Sequence, residues 1–134
     1  MANEAVIIEL FNGGRPIRYT CAAGTAIAKG TIMVLTTPRT VVAHSAVDTP
    51  IVGVAVAGKT ATDGATDIAV WTDGIFDVYT AAAGTYAVGA LVAGSGTANM
   101  GTVADANDVL QNSTIGMGLE AAANNAVCAI RVNK

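Results

Sequence analysis

Short runs of alternating apolar and polar residues fill this chain, broken by glycine, proline and Asp/Asn turn signals. The stretch from Ile51 to Tyr79 shows the pattern best. Three apolar runs are separated by Asp63-Gly64 and Asp73-Gly74. An Asp-Gly pair between alternating runs is a strong hairpin signal, because Gly reaches positive φ without a Cβ clash. Ile68 and Val70, then Ile75, Phe76 and Val78, flank the second signal, with Ala69, Thr72, Asp77 and Tyr79 interleaved. The pattern predicts a meander of antiparallel strands with one buried face.

Further strands are expected on either side. Residues 5–11 (AVIIELF) are dense in β-branched types, and Asn12-Gly13-Gly14 ends the run. Residues 16–21 (PIRYTC) alternate. These two runs read as a hairpin, or as an arm over residues 1–22 that adds a strand to a neighbouring subunit. A strand at 31–37 ends at Pro38-Arg39, and a short one follows at 40–43. The loop 44–50 holds the one histidine, His44, which reads as exposed. Beyond Tyr79 only 90–92, 114–121 and 126–132 read as strands. Residues 104–111 fit a single helical turn, with Asp105 and Asp108 placed to cap it. A small-residue–Gly–apolar theme recurs at Gly30, Gly53, Gly89 and Gly116, but its spacing is too uneven to define a repeat. The expected fold is all-β: one domain over 1–134, a compact antiparallel β-sandwich or β-barrel of about ten short strands with at most one short helix.

Composition sharpens this picture. Hydrophobic residues make up 52% of the chain, yet about a fifth is Ala, and aromatics are only 4%. The core must rest on Val, Ile, Leu and Ala, with Phe11, Tyr19, Trp71, Phe76, Tyr79 and Tyr86 as its few large anchors. Charged residues are 13%, about half the usual share for a soluble domain. A surface so poor in charge suits a chain covered in part by copies of itself or by a partner. The net charge of −3 and the scattered Lys and Arg argue against nucleic acid as a partner. The N-terminal segment is neither a signal peptide nor a membrane span. Cys21 and Cys128 each sit in apolar runs and read as free, buried thiols.

Catalytic signals are weak. His44, Ser45 and Asp48 lie too close in sequence to present a triad. One His and two remote Cys cannot assemble a zinc site. Asp63, Asp67, Asp73 and Asp77 gather near the turns, but turn chemistry accounts for them and no calcium-loop spacing is present. Gly94-Ser95-Gly96 lacks the residues of a phosphate loop. Trp71, Phe76 and Tyr79 read as core anchors before a sugar-binding platform. The chain is therefore expected to be no enzyme and to hold no metal or cofactor.

In order and spacing, several stretches resemble the capsid decoration, or head cement, proteins of tailed bacteriophages. They are ANEAVIIELFNGGRPIRYT, GTAIAKGTIMVLTTPRT, the IVGVA and WTDGIFDV segments, VGALV and IGMGLEAA. The similarity spans nearly the whole chain. It implies a structural virion protein on the capsid exterior, made in the host cytoplasm. Such a protein bridges major capsid subunits, forms a homo-oligomer, commonly a trimer, and contacts no membrane. From position and composition, the contact residues expected are Val6, Ile7, Ile8, Phe11, Arg15, Arg18, Pro38 and Arg39. The alternatives are a carbohydrate-binding, adhesin-like β module, requiring an exposed Trp71 platform, and a head–tail or tail-tube subunit.

Overall fold

A computed structural model describes residues 3–9 and 15–134. They form eleven strands and one short helix. The strands are β1 Val6–Glu9, β2 Ile17–Thr20, β3 Ile32–Thr37, β4 Thr40–Ala43, β5 Ile51–Ala55 and β6 Asp67–Trp71. They continue with β7 Asp73–Thr80, β8 Leu91–Gly94, β9 Met100–Val103, β10 Thr114–Gly118 and β11 Val127–Asn133, and α1 is Ala106–Leu110. The all-β expectation holds, and the strands close into barrels. One barrel runs β2-β4-β3-β5-β6. The other runs β7-β11-β10-β8-β9 and closes through β9 onto β7, with β1 added beside β7. All pairings are antiparallel except β2–β4 and β7–β9, the parallel pairs that close each barrel.

The two barrels are one topology used twice. Met33↔Ala43, Val34↔Val42 and Leu35↔Val41 in the first match Val92↔Val103, Ala93↔Thr102 and Gly94↔Gly101 in the second. Ile17↔Val70 and Tyr19↔Ile68 match Phe76↔Ile130 and Val78↔Cys128. The irregularity at Met33 and Val34 of β3, where it pairs with β5, recurs at Thr114 and Gly116 of β10, where it pairs with β8. Left-handed positions match as well: Gly30 with Gly89, Arg39 with Asn99, Asp48 with Asn112, and Gly64 with Asn125. The uneven glycine theme is therefore the trace of an internal duplication. Its four glycines are two equivalent pairs, 30 with 89 and 53 with 116. A Cβ on Gly53 would land on the carbonyl oxygen of Trp71, and one on Gly116 on that of Arg131, the residue equivalent to Trp71.

Three local expectations fail, each to longer-range structure. The β1–β2 hairpin does not form. Within the chain β1 pairs with β7 at Val6↔Asp77 and Ile7↔Phe76, along the part of β7 that β9 does not reach. The turn at Asp73-Gly74 does not form either. Thr72 alone links β6 to β7, and the chain passes from one barrel to the other there. A β6–β7 hairpin would compete with the β2–β6 ladder and with β7–β11, which runs from Asp73 to Tyr79. Asp63-Gly64 does turn: Asp63 accepts from the amides of Thr60 (3.0 Å) and Ala65 (2.9 Å). Gly64 sits at φ 71°. These amides, Ala65 first, hold the exposed carboxyl below its ordinary range. The third failure is His44, which is fully buried.

Alternation sets the cores. In β11 Cys128, Ile130 and Val132 are buried while Val127, Arg131 and Asn133 face out. Cys21, Met33, Val41, Ile68 and Val70 fill the first barrel. A larger cluster joins the interior of the second barrel (Val78, Val92, Ile115, Ile130) to the outer face of the first (Ile32, Val54, Trp71). Trp71 and Phe76 meet there at 5.8 Å between ring centroids. Burying a side chain of this kind contributes about 1.5–3 kcal/mol relative to leaving it exposed. Both cysteines are free and buried, as expected; burial raises the Cys21 thiol above its ordinary range. The expected helix cap forms: Asp105 accepts from Asp108 N at 3.0 Å, and Asp108 from Asp105 N at 2.9 Å.

Candidate interaction surface

The side chains with chemistry to offer are tied into the fold. His44 lies between the barrels, and a Cβ on Gly94 would meet its Nε2 at 2.5 Å. Burial lowers its pKa, with backbone groups of Ala46 and Ser95 opposing. Neither ring nitrogen makes a close hydrogen bond. Ser45 and Asp48 gain no partner role from so enclosed a ring. Lys59 is buried, and its ammonium donates to the carbonyls of Thr25 (2.6 Å), Ala23 (3.0 Å) and Ala22 (3.1 Å), plugging one end of the first barrel. Tyr86 is buried in the second barrel, and burial raises its hydroxyl pKa. Among the described residues no three His, Cys, Asp or Glu gather as a metal site, and no helix is long and apolar enough to cross a membrane.

What remains is surface. On β1 the side chains alternate: Val6 (60% exposed) and Ile8 (53%) face outward, while Ile7 is half-buried and packs against the core. Phe11 lies outside the described residues. Arg15, Arg18, Pro38 and Arg39 are exposed. Two of them meet, since Arg39 Nη2 donates to the carbonyl of Arg18 at 3.1 Å. Arg18 also pairs with Asp67 at 2.6 Å, an exposed ion pair worth little by itself. The expected contact residues thus divide into an apolar strip on β1 and a basic edge around β2 and the β3–β4 turn.

The structure adds apolar surface that alternation did not disclose. Leu91 and Met117 pair across β8 and β10 and are each 41% exposed. Val103 on β9 and Val109 and Leu110 on α1 are exposed as well. Leu91 sits in a continuous apolar run and Met117 between two glycines, so neither sequence context shows a face. Trp71, by contrast, is buried. A sugar platform built on Trp71 is therefore excluded.

No curated protein matches the chain. The family model described as phage cement protein matches residues 11–133, a span that includes every strand of both barrels. The chain belongs to the phage cement protein family, and with it to the structural proteins of the virion capsid.

Proposed function

We propose that this protein binds the outside of a phage capsid as a homotrimer and stabilises the shell by bridging neighbouring major capsid subunits, with no catalytic role. The observation that carries the proposal is the family match across both barrels. The surface supports it. Val6 and Ile8 present apolar area on a strand held in place by β7 and by the bond from Ala5 N to Gly30 O at 2.6 Å. The basic edge of Arg15, Arg18, Pro38 and Arg39 offers a second contact. A protein that binds only the assembled shell shifts the equilibrium toward assembly. At ~25 cal/mol per Å² a modest apolar contact gives a few kcal/mol before association costs, and many copies repeat it.

The test is co-sedimentation of purified protein with empty shells, with cryo-electron microscopy of the decorated particles. Wild type is expected to saturate the shells and raise their disassembly temperature. Val6→Glu with Ile8→Glu is expected to lose occupancy while keeping the fold, because both side chains already face solvent. Truncating β1 is a poorer test, since it would uncover the edge of β7. Absence of wild-type binding to any shell would refute the proposal.

A further inference from the structure

The internal duplication makes the exposed faces comparable, one barrel with the other. On the first barrel Ile32, Val54 and Trp71 form a row across β3, β5 and β6. All three are buried, under the second barrel and the β1 segment. The equivalent row on the second barrel is Leu91, Met117 and Arg131. Among the described residues none covers Leu91 and Met117, which are each 41% exposed. The covering side shows the reverse. The second barrel meets the first with Phe76 on β7 and Asn99 in the β8–β9 turn, where Asn99 Oδ1 accepts from Ile32 N at 2.9 Å. Their equivalents on the first barrel are Ile17, 45% exposed, and Arg39. Each barrel thus carries an exposed half of an interface that the chain already makes once, with Ile17 bordering a cavity it shares with Asn112, Asn133 and Lys134 of its own second barrel.

Charge separates the ends in the same sense. Residues 15–72 hold five Lys and Arg against three Asp, net +2, and residues 73–134 hold two against five Asp and Glu, net −3. At one matched position the sign inverts outright, with Arg18 on β2 where β7 has Asp77.

We infer that a second copy of this chain docks head to tail, setting the Ile17–Arg39 side of its first barrel on the Leu91–Met117 face of the second barrel. The contact continues the interface between the two barrels of one chain, and the opposite net charges of the two halves favour it over like-end pairing, while Arg131 on the face itself opposes Arg39. A contact between different patches generates rings or filaments and not a two-fold dimer. With three copies, the number in the proposed function on which the closure rests, the ring holds six barrels. One bond changes: Arg39 has only donors where Asn99 accepts, so the Ile32–Asn99 link has no copy between chains.

Sedimentation analysis of mixed variants tests the inference. Met117→Glu removes the tail and Ile17→Glu the head, both at exposed positions, with folding checked by circular dichroism. Wild type is expected to sediment as three chains and each variant alone as one. An equimolar mixture is expected to give two chains, because one intact head and one intact tail remain. Leu91→Asp and Arg39→Glu form an independent pair with the same expectation. Retention of the wild-type mass by either variant overturns the inference. So does a monomeric wild type, or a mixture that stays monomeric with both chains folded. A three-chain wild type that behaves as described yet ignores shells defeats the capsid reading alone.

Discussion

Asn99 offers the sharpest test of how the barrels are joined. It is fully buried, sits at φ 59°, and accepts from the backbone amide of Ile32 across the interface at 2.9 Å. Asn99→Ala does at least two separable things. It leaves a buried N–H without its acceptor, at about 1–3 kcal/mol, and it places a Cβ residue in the left-handed region, at roughly 1–2 kcal/mol. The expected loss is therefore about 2–5 kcal/mol. Asn99→Gly removes the acceptor but is at ease at positive φ, so it should recover most of the second part. The assay is urea unfolding followed by Trp71 fluorescence. Trp71 is the only tryptophan and lies against Phe76 between the barrels, so its emission reports on the contact in question. The Ala variant should lower the melting temperature by roughly 3–5 °C per kcal/mol lost. An Ala variant within about 0.5 kcal/mol of wild type would refute the reasoning. A Gly variant no better than Ala would refute the strain component.

Three further outcomes follow from the same geometry. Gly53→Ala drives a Cβ into the Trp71 carbonyl at φ 146°; the expected cost is about 2 kcal/mol or more, checked by thermal melts. Burial holds the folded pKa of His44 below its ordinary 6.5, so the unfolded chain takes up the proton first as pH falls. The stability due to the neutral ring is present above pH 6.5 and declines below it, by at most about 1.4 kcal/mol per pH unit. Urea midpoints at pH 7.5 and 5.5 should show this, and an unchanged slope in His44→Gln would remove His44 as the cause. Gly118→Ala should clash with the Tyr86 ring, whose Cε2 would lie 2.8 Å from the new Cβ. Adding Tyr86→Ile should return part of the loss, and strict additivity of the two costs would reject the coupling.

How much of this was legible depended on range. Strands whose alternation is settled within one run, such as β11 with its buried Cys128, Ile130 and Val132, could be read directly. So could the Asp105–Asp108 cap, which is closed by residues three apart. Asp73-Gly74 has the chemistry of a turn, but Phe76 and Val78 complete a barrel with β11, and that ladder decides where the chain goes. His44 lies in a polar stretch, and its burial depends on the space beside Gly94, fifty residues downstream. Of the proposed contact residues, Val6, Ile8 and the basic edge were named from position and composition, and the structure shows them exposed. The Leu91–Met117 face was not, because its significance comes from comparison with a row that only the folded first barrel defines.

The duplication also explains how so uneven a sequence repeats one architecture. The ladders are matched, but the interiors are filled differently. Leu35, Val41 and Ala55 in the first barrel give way to Gly94, Gly101 and Gly118 in the second, while Ile27 gives way to Tyr86. The Tyr86 ring lies where a side chain on Gly118 would stand. Gly101 likewise leaves its space to Val92, whose Cγ1 would lie 2.8 Å from a Cβ there. Close packing constrains total volume more tightly than its distribution, so the two interiors drifted apart while backbone pairing held. The outer faces followed a different constraint. Where the first barrel meets the second, its outer row stayed apolar and sealed. On the second barrel, Leu91 and Met117 stayed apolar although none of the described residues covers them. Solvation alone gives no reason to keep apolar residues at those two positions, whereas a protein partner does.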